Sequence, residues 1–191
     1  MIYRSTQDEK ASRLSELHFA RQELVDLQLY RRFCLDQDQR AKLRRVARIE
    51  DRDLEGRLLA EGFHGDNVLA LEVFPIAKTA WASGGVSLGE GKEARNFGAE
   101  LGFSDSNQAM ELFVGWLTEP PTDRWWPLWE QLTRARSDSL SREEYQERCR
   151  KILLACRKVA MASGGLWGIG RISPAEQRVL HRVQRVFESL K

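Results

Sequence analysis

Ala80-Trp81-Ala82-Ser83-Gly84-Gly85-Val86-Ser87-Leu88-Gly89-Glu90 is the stretch on which the fold turns. Its alanines suit the end of a helix, and Gly84-Gly85 stops it, because glycine enters the left-handed conformation without a side-chain penalty. Ser87 and Glu90 then stand at the spacing of a capping box, which opens the next helix by satisfying two of its free amide groups. Eighty residues later Ala160-Met161-Ala162-Ser163-Gly164-Gly165 repeats five of the six residues of Ala80–Gly85. A second capped start follows at Ser173-Pro174-Ala175-Glu176, with proline at the first helical position, where its missing N–H is not needed. The unit of helix, Gly-Gly stop, connector and capped helix is thus expected twice. Its connector is Val86 alone in the first copy and Leu166 to Ile172 in the second. Two copies with two further helices between them predict a pseudo-twofold helical bundle, since an open solenoid generally needs three or more repeats.

On the N-terminal side, residues 8–34 read as a helix with Leu17, Ala20, Leu24, Leu27 and Cys34 at 3-4 spacing and Arg31 interrupting the seam. Asp36-Gln37-Asp38-Gln39 is expected to break it. A second helix to about Glu61 follows, with Leu43, Val46, Ala47, Leu54 and Leu58 as its apolar face and Gly62 as its cap. The chain changes character at Gly65-Asp66-Asn67, beyond which lie most glycines and all six tryptophans. The expected organisation is therefore an N-terminal helical arm, 1–65, and a duplicated helical domain, 66–191. So many leucines in the arm predict that it packs on the core or mediates assembly.

Past the boundary, Asp66 is expected to cap a helix from Val68 to Ala82, kinked at Pro75, which lacks an amide donor. Helices over 87–101 and 104–117 precede the rigid connector Pro120-Pro121. An amphipathic helix over 123–136 carries Trp125, Trp126 and Trp129. Ser141 and Glu144 form another capping box, opening a long helix through Ile152, Cys156 and Ala160. The last helix runs from Ser173 through Val179, Val183 and Phe187 to Leu190. No stretch alternates with period two, so the chain reads as all-α with about eight helices.

Composition narrows the function classes. Of the 191 residues, 42% are hydrophobic and 30% charged, and the net charge is +2, so no global field draws the chain to nucleic acid or anionic lipid. Three cysteines without a C-x-x-C pair suit a reducing compartment, and Cys149 and Cys156, seven apart, share one helix face as packing thiols. Met1 to Asp8 holds no apolar signal region, and no uncharged apolar run approaches the ~20 residues of a membrane span. The expectation is a cytoplasmic protein with no membrane partner.

The duplicated unit resembles the TerB-like family, the helical domain named for tellurite-resistance protein B, over about Asp66 to Lys191. The family signature is a helix ending Ala-Asp-Gly, a short connector, and a capped helix with an early glutamate. Ala82-Ser83-Gly84 with Glu90, and Ala162-Ser163-Gly164 with Glu176, occupy those places. The resemblance implies the family's helical fold and a link to stress or tellurite-resistance systems. In the family each signature aspartate belongs to an acidic surface thought to hold divalent cations. Here both positions are serine, a much poorer ligand for hard cations, so no metal and no cofactor is expected.

Catalytic signatures are missing from the pattern. Gly164-Gly165-Leu166-Trp167-Gly168-Ile169-Gly170 matches neither phosphate-loop spacing and follows no strand, so it reads as a tight turn with Trp167 over it, a ligand pocket there being the alternative. Glu61-Gly62-Phe63-His64 has the letters of a di-iron ligand pair, but Gly62 interrupts the helix such a pair requires. Asp36 and Asp38 lack the glycine and terminal glutamate of a calcium loop, and neither Ser-Gly-Gly turn is a nucleophile elbow. Two basic clusters remain. Arg31 to Arg52 carries eight Lys/Arg against four Asp/Glu, and Arg171 to Lys191 five against two. Arg178, Arg182 and Arg185 lie on one face of the last helix. The expected function is a non-catalytic helical interaction module, binding a protein partner or itself. The alternative is a nucleic-acid or acidic-partner binder using Arg171, Arg178, Arg182 and Arg185, and a third reading places a small ligand at Trp167.

Overall fold

The computed structural model describes residues 5–100, 107–162 and 172–190, and every regular element among them is helical. In order these are α1 (Ser5–Ala47), α2 (Arg52–Ala60), α3 (Val68–Glu72), α4 (Phe74–Ala80), α5 (Leu88–Glu100) and α6 (Asn107–Thr118). A 3-10 turn over Asp123–Trp125 leads into α7 (Trp126–Ser139), followed by α8 (Arg142–Ala162) and α9 (Pro174–Ser189). The residues divide into two compact units, Met1–Gln39 and Arg40–Lys191. Residues 40–65 therefore belong with the bundle: Leu43, Ala47, Ile49, Leu54, Leu58 and Phe63 are core residues.

Three local expectations are corrected. The helix does not break at Asp36–Gln39, for α1 runs straight through it. Asp36 stands four residues before Arg40 and Asp38 four before Lys42, a spacing that supports a helix, and no glycine or proline is present to stop one. The stop comes instead at Arg48, which takes φ 52°, and the Ile49 amide donates to the Arg44 carbonyl at 3.1 Å, closing a Schellman turn. Asp51 then caps α2, accepting from the Asp53 and Leu54 amides at 2.8 and 3.3 Å. The stretch expected as one kinked helix, Val68 to Ala82, is two helices parted at Val73, with Pro75 in the first turn of α4 where it displaces no hydrogen bond. Asp66 is not the cap; it pairs with Lys42, while Asn67 braces the loop by accepting from the His64 amide at 2.8 Å and donating to the Gly62 carbonyl at 3.0 Å.

The capping boxes form as read. Glu90 and Glu176 each accept from the backbone amide of their serine, at 2.7 and 2.6 Å, while the serine hydroxyls accept from the glutamate amides at 3.2 Å. Both glutamates are buried, whereas Glu144 in the equivalent box with Ser141 is exposed. Gly84 has φ 98°, a conformation that L side chains rarely adopt. The matching Gly164 lies outside the described residues.

Around these caps the packing is reciprocal. α4 packs on α8, α5 on α8, α9 on α4, and each also touches its sequence neighbour, α4 on α5 and α8 on α9. Exchanging α4 with α8 and α5 with α9 leaves this set unchanged. Small buried residues, Ala77 and Ala80 on α4 and Ala155, Cys156 and Ala160 on α8, permit close approach. At Gly89 a Cβ would fall 2.8 Å from the Ala162 carbonyl, so the start of α5 abuts the end of α8 too closely for a side chain.

Polar groups tie the remaining helices to this centre. Glu72, at the end of α3, is buried and forms ion pairs with buried Arg136 of α7 and with Arg148 of α8, whose Nε donates to it at 2.8 Å. Arg136 also donates to the Val46 carbonyl at 2.9 Å, reaching the last turn of α1. Burial draws the Arg136 guanidinium below its usual range, against the pull of Glu72. Removing one partner of a buried pair leaves the other charge uncompensated. Glu72→Gln is accordingly expected to lower unfolding free energy by about 3 kcal/mol, measured by urea denaturation, whereas exposed Glu143→Gln changes it by under about 0.5 kcal/mol.

Candidate functional site

The described surface offers two features to weigh: a run of exposed apolar side chains on α1 and a basic cleft. The first lies in the Met1–Gln39 unit. From Arg21 to Arg31, and again from Leu35 to Asp38, every residue of α1 is exposed. Among them are Leu24 at 61%, Leu27 at 52%, Leu29 at 58%, Tyr30 at 66% and Leu35 at 63%. Single exposed leucines are ordinary, but a run of large apolar residues along one exposed segment is not. Leu24 and Leu27 belong to the 3-4 seam read in the sequence. Leu29 and Tyr30 lie off that seam, so the apolar surface extends beyond one stripe.

The cleft lies at the junction of α1, α2 and α7, has a volume of about 1020 Å³, and is lined by Arg44, Arg45, Arg48, Arg52 and Asp138 over Ile49. Its arginines are not equivalent. Arg44 is spent on buried Glu55, at 2.7 Å, a carboxylate it shares with Arg40 at 3.0 Å. Arg45, Arg48 and Arg52 are exposed and make no ion pair among the described residues, while Glu50 and Asp138 stand beside them. Asp51 is occupied in capping α2. The charge facing solvent is therefore mixed and only weakly positive.

The basic face of α9 fares differently. Arg178 and Arg185 are exposed, but Arg182 pairs with Glu130 at 2.9 Å and lies over the Trp126 ring at 4.3 Å, a cation–π contact that fastens α9 to α7. The row of three is thus split by packing. Arg171 and Trp167 lie outside the described residues. Glu61 turns away from His64: it accepts from Trp125 Nε1 at 2.7 Å and pairs with Arg124 at 3.0 Å, and Gly62 between them has φ 83°. Among the described residues no group of three or more His, Cys, Asp or Glu is placed to hold a metal. Burial pushes the Cys156 thiol up to about 12, so it stays protonated as a packing group near Thr79. No described helix is long and apolar enough to cross a membrane.

Comparison with protein-family models, curated proteins and solved structures returns no match.

Arg48 gives the cleft a direct test. Gly62 occupies the same left-handed position after α2 that Arg48 occupies after α1, with the Phe63 amide reaching Leu58 as Ile49 reaches Arg44. An arginine there carries strain that glycine relieves. Arg48→Gly is expected to raise stability by about 1 kcal/mol, seen as a higher urea midpoint at unchanged slope. A lower midpoint would show that the Arg48 side chain contributes packing worth more than the strain.

Proposed function

We propose that this protein is a non-catalytic helical interaction module whose bundle presents the N-terminal part of α1 for association. The carrying observation is the exposed run Leu24, Leu27, Leu29, Tyr30 and Leu35. Each such side chain contributes about 1.5–3 kcal/mol when removed from water, so covering even three of them is worth as much as many weak complexes. Among the described residues, the core of the Arg40–Lys191 unit is formed from within that unit. A TerB-like architecture for the bundle is part of the same proposal. It is supported by the reciprocal contacts of α4 and α5 with α8 and α9, and by two buried capping glutamates at matching places.

The acidic-partner reading draws on Arg45, Arg48 and Arg52 and on exposed Arg178 and Arg185. It has less support, because Arg44 and Arg182 are engaged within the fold and Glu50 and Asp138 share the cleft.

Sedimentation of the full chain tests the proposal. Wild type is expected to associate with, or retain, a partner through α1, and Leu24→Asp with Leu27→Asp to abolish this while leaving the thermal midpoint of the bundle unchanged. Two charges in an apolar contact cost several kcal/mol, so the loss should exceed about a hundredfold in affinity. If the double variant lowered the thermal midpoint, those leucines would be serving the bundle and the proposal would fail.

A further inference from the structure

The junction where Glu72 meets its arginines borders a cavity of about 20 Å³ between α3, α7, α8 and α9. That is room for a single small ion or a single water, and for nothing larger. Arg136 and Tyr145, both buried, line it together with Glu72, Thr133, Arg148 and Cys149. Arg148 keeps a third of its side chain exposed, so an ion reaches the cavity by displacing one surface group.

Charge and hydrogen-bonding capacity are out of balance at this place. One carboxylate faces two guanidiniums: Arg136 pairs with Glu72 Oε1, and Arg148 with Oε2 at 2.7 Å. One positive charge is left over. Burial draws the Arg136 guanidinium below its usual range, and the like charges of Arg148 and Arg48 push the same way. Arg136 donates through a terminal nitrogen to the Val46 carbonyl, but its buried Nε–H has no hydrogen-bond partner among the described residues. The buried Tyr145 hydroxyl is in the same position, with only the Cys149 thiol, a weak hydrogen-bonding group, beside it. The Thr133 hydroxyl is already engaged, donating to the Trp129 carbonyl at 2.8 Å. Buried polar groups are rarely left unpaired, and the two left here can both donate.

We propose that this cavity binds a single halide ion, chloride being the common one, held by Arg136 Nε–H and Tyr145 O–H. A water would need an acceptor for its own hydrogens, and each oxygen of the one carboxylate already faces an arginine. An anion needs only donors and a surplus of positive charge, which is what the lining supplies. Bound there, it offsets the surplus charge where α7 and α8 meet the end of α3.

Urea unfolding of the full chain is measured at constant ionic strength in sodium gluconate, and again with the gluconate replaced by chloride. A site with a Kd of about 10 mM lowers the unfolding constant about tenfold in about 100 mM chloride. Tyr145→Phe keeps the ring and removes the donor, and its chloride effect is expected to fall below about twofold. The position of the ion is read on the wild type alone, from the anomalous scattering of bromide in crystals grown with that salt. A bromide peak within hydrogen-bond reach of Arg136 Nε and Tyr145 Oη is expected. Unfolding constants of the wild type that agree in chloride and gluconate overturn the proposal. So does bromide found only on the surface, as an adventitious ion only, or a cavity peak without anomalous signal, which is a water.

Discussion

The buried carboxylate of Glu72 ties several helices of the bundle to one another. It sits at the end of the five-residue α3, and it faces Arg136 of α7 and Arg148 of α8, while Arg136 also reaches the Val46 carbonyl at the end of α1. Three helices thus meet at one buried carboxylate, and Arg136 ties α1 to it. α3 is too short to be stable by its own hydrogen bonds, because helix nucleation is costly and isolated helices of one or two turns do not persist in water. Its position depends on tertiary contacts, and Glu72 supplies the specific ones. Burying Glu72 and Arg136 is expensive, so the cluster contributes less to net stability than to uniqueness: any shift of α7 or α8 by a turn would strand a charge.

Beside that polar junction the core divides its labour. α4 and α8 approach through alanine, threonine and cysteine, which favour close packing, whereas the region of α6 and α7 is filled by tryptophan and phenylalanine in edge contacts. The tryptophans also use their N–H groups as ties: Trp81 to the Trp116 carbonyl at 2.7 Å and Trp129 to the Glu72 carbonyl at 3.3 Å. Such rings are large, rigid and anchored at one end, so they fix the spacing of the helices they join. The leucines of α1 between Arg21 and Asp38 have no such setting and stand exposed to solvent.

What the sequence disclosed follows from the range of each interaction. The capping boxes at Ser87, Ser141 and Ser173 were legible because cap and partner lie three residues apart, and the helices they open begin where expected. Cys149 and Cys156 were legible as core thiols from their seven-residue spacing. The stop of α1 at Arg48 was hidden, since arginine gives no signal for a left-handed turn, and the acidic Asp36–Gln39 segment offered a false one. Glu72 was hidden as well, because its partners lie on distant helices and their letters resemble any surface charge. Arg182 illustrates the converse. Its spacing with Arg178 and Arg185 was correct as a face, but only tertiary packing reveals that Trp126 and Glu130 claim it. The candidate surface was therefore half legible: the leucine seam was visible, its exposure was not.

What we propose is a bundle with its own core joined to an α1 segment that associates. Amide hydrogen exchange on the full chain, read segment by segment at two protein concentrations, tests it most directly. Exchange in buried helices tracks the bundle's own opening, whereas exchange in an associating helix tracks occupancy of its contact. The account predicts protection in α4 and α8 that is the same at both concentrations, and protection over residues 21–38 that rises with concentration or with added partner. Protection over 21–38 that equals that of α4 and α8 and ignores concentration would contradict it, for then the α1 leucines would be part of the bundle's own stability.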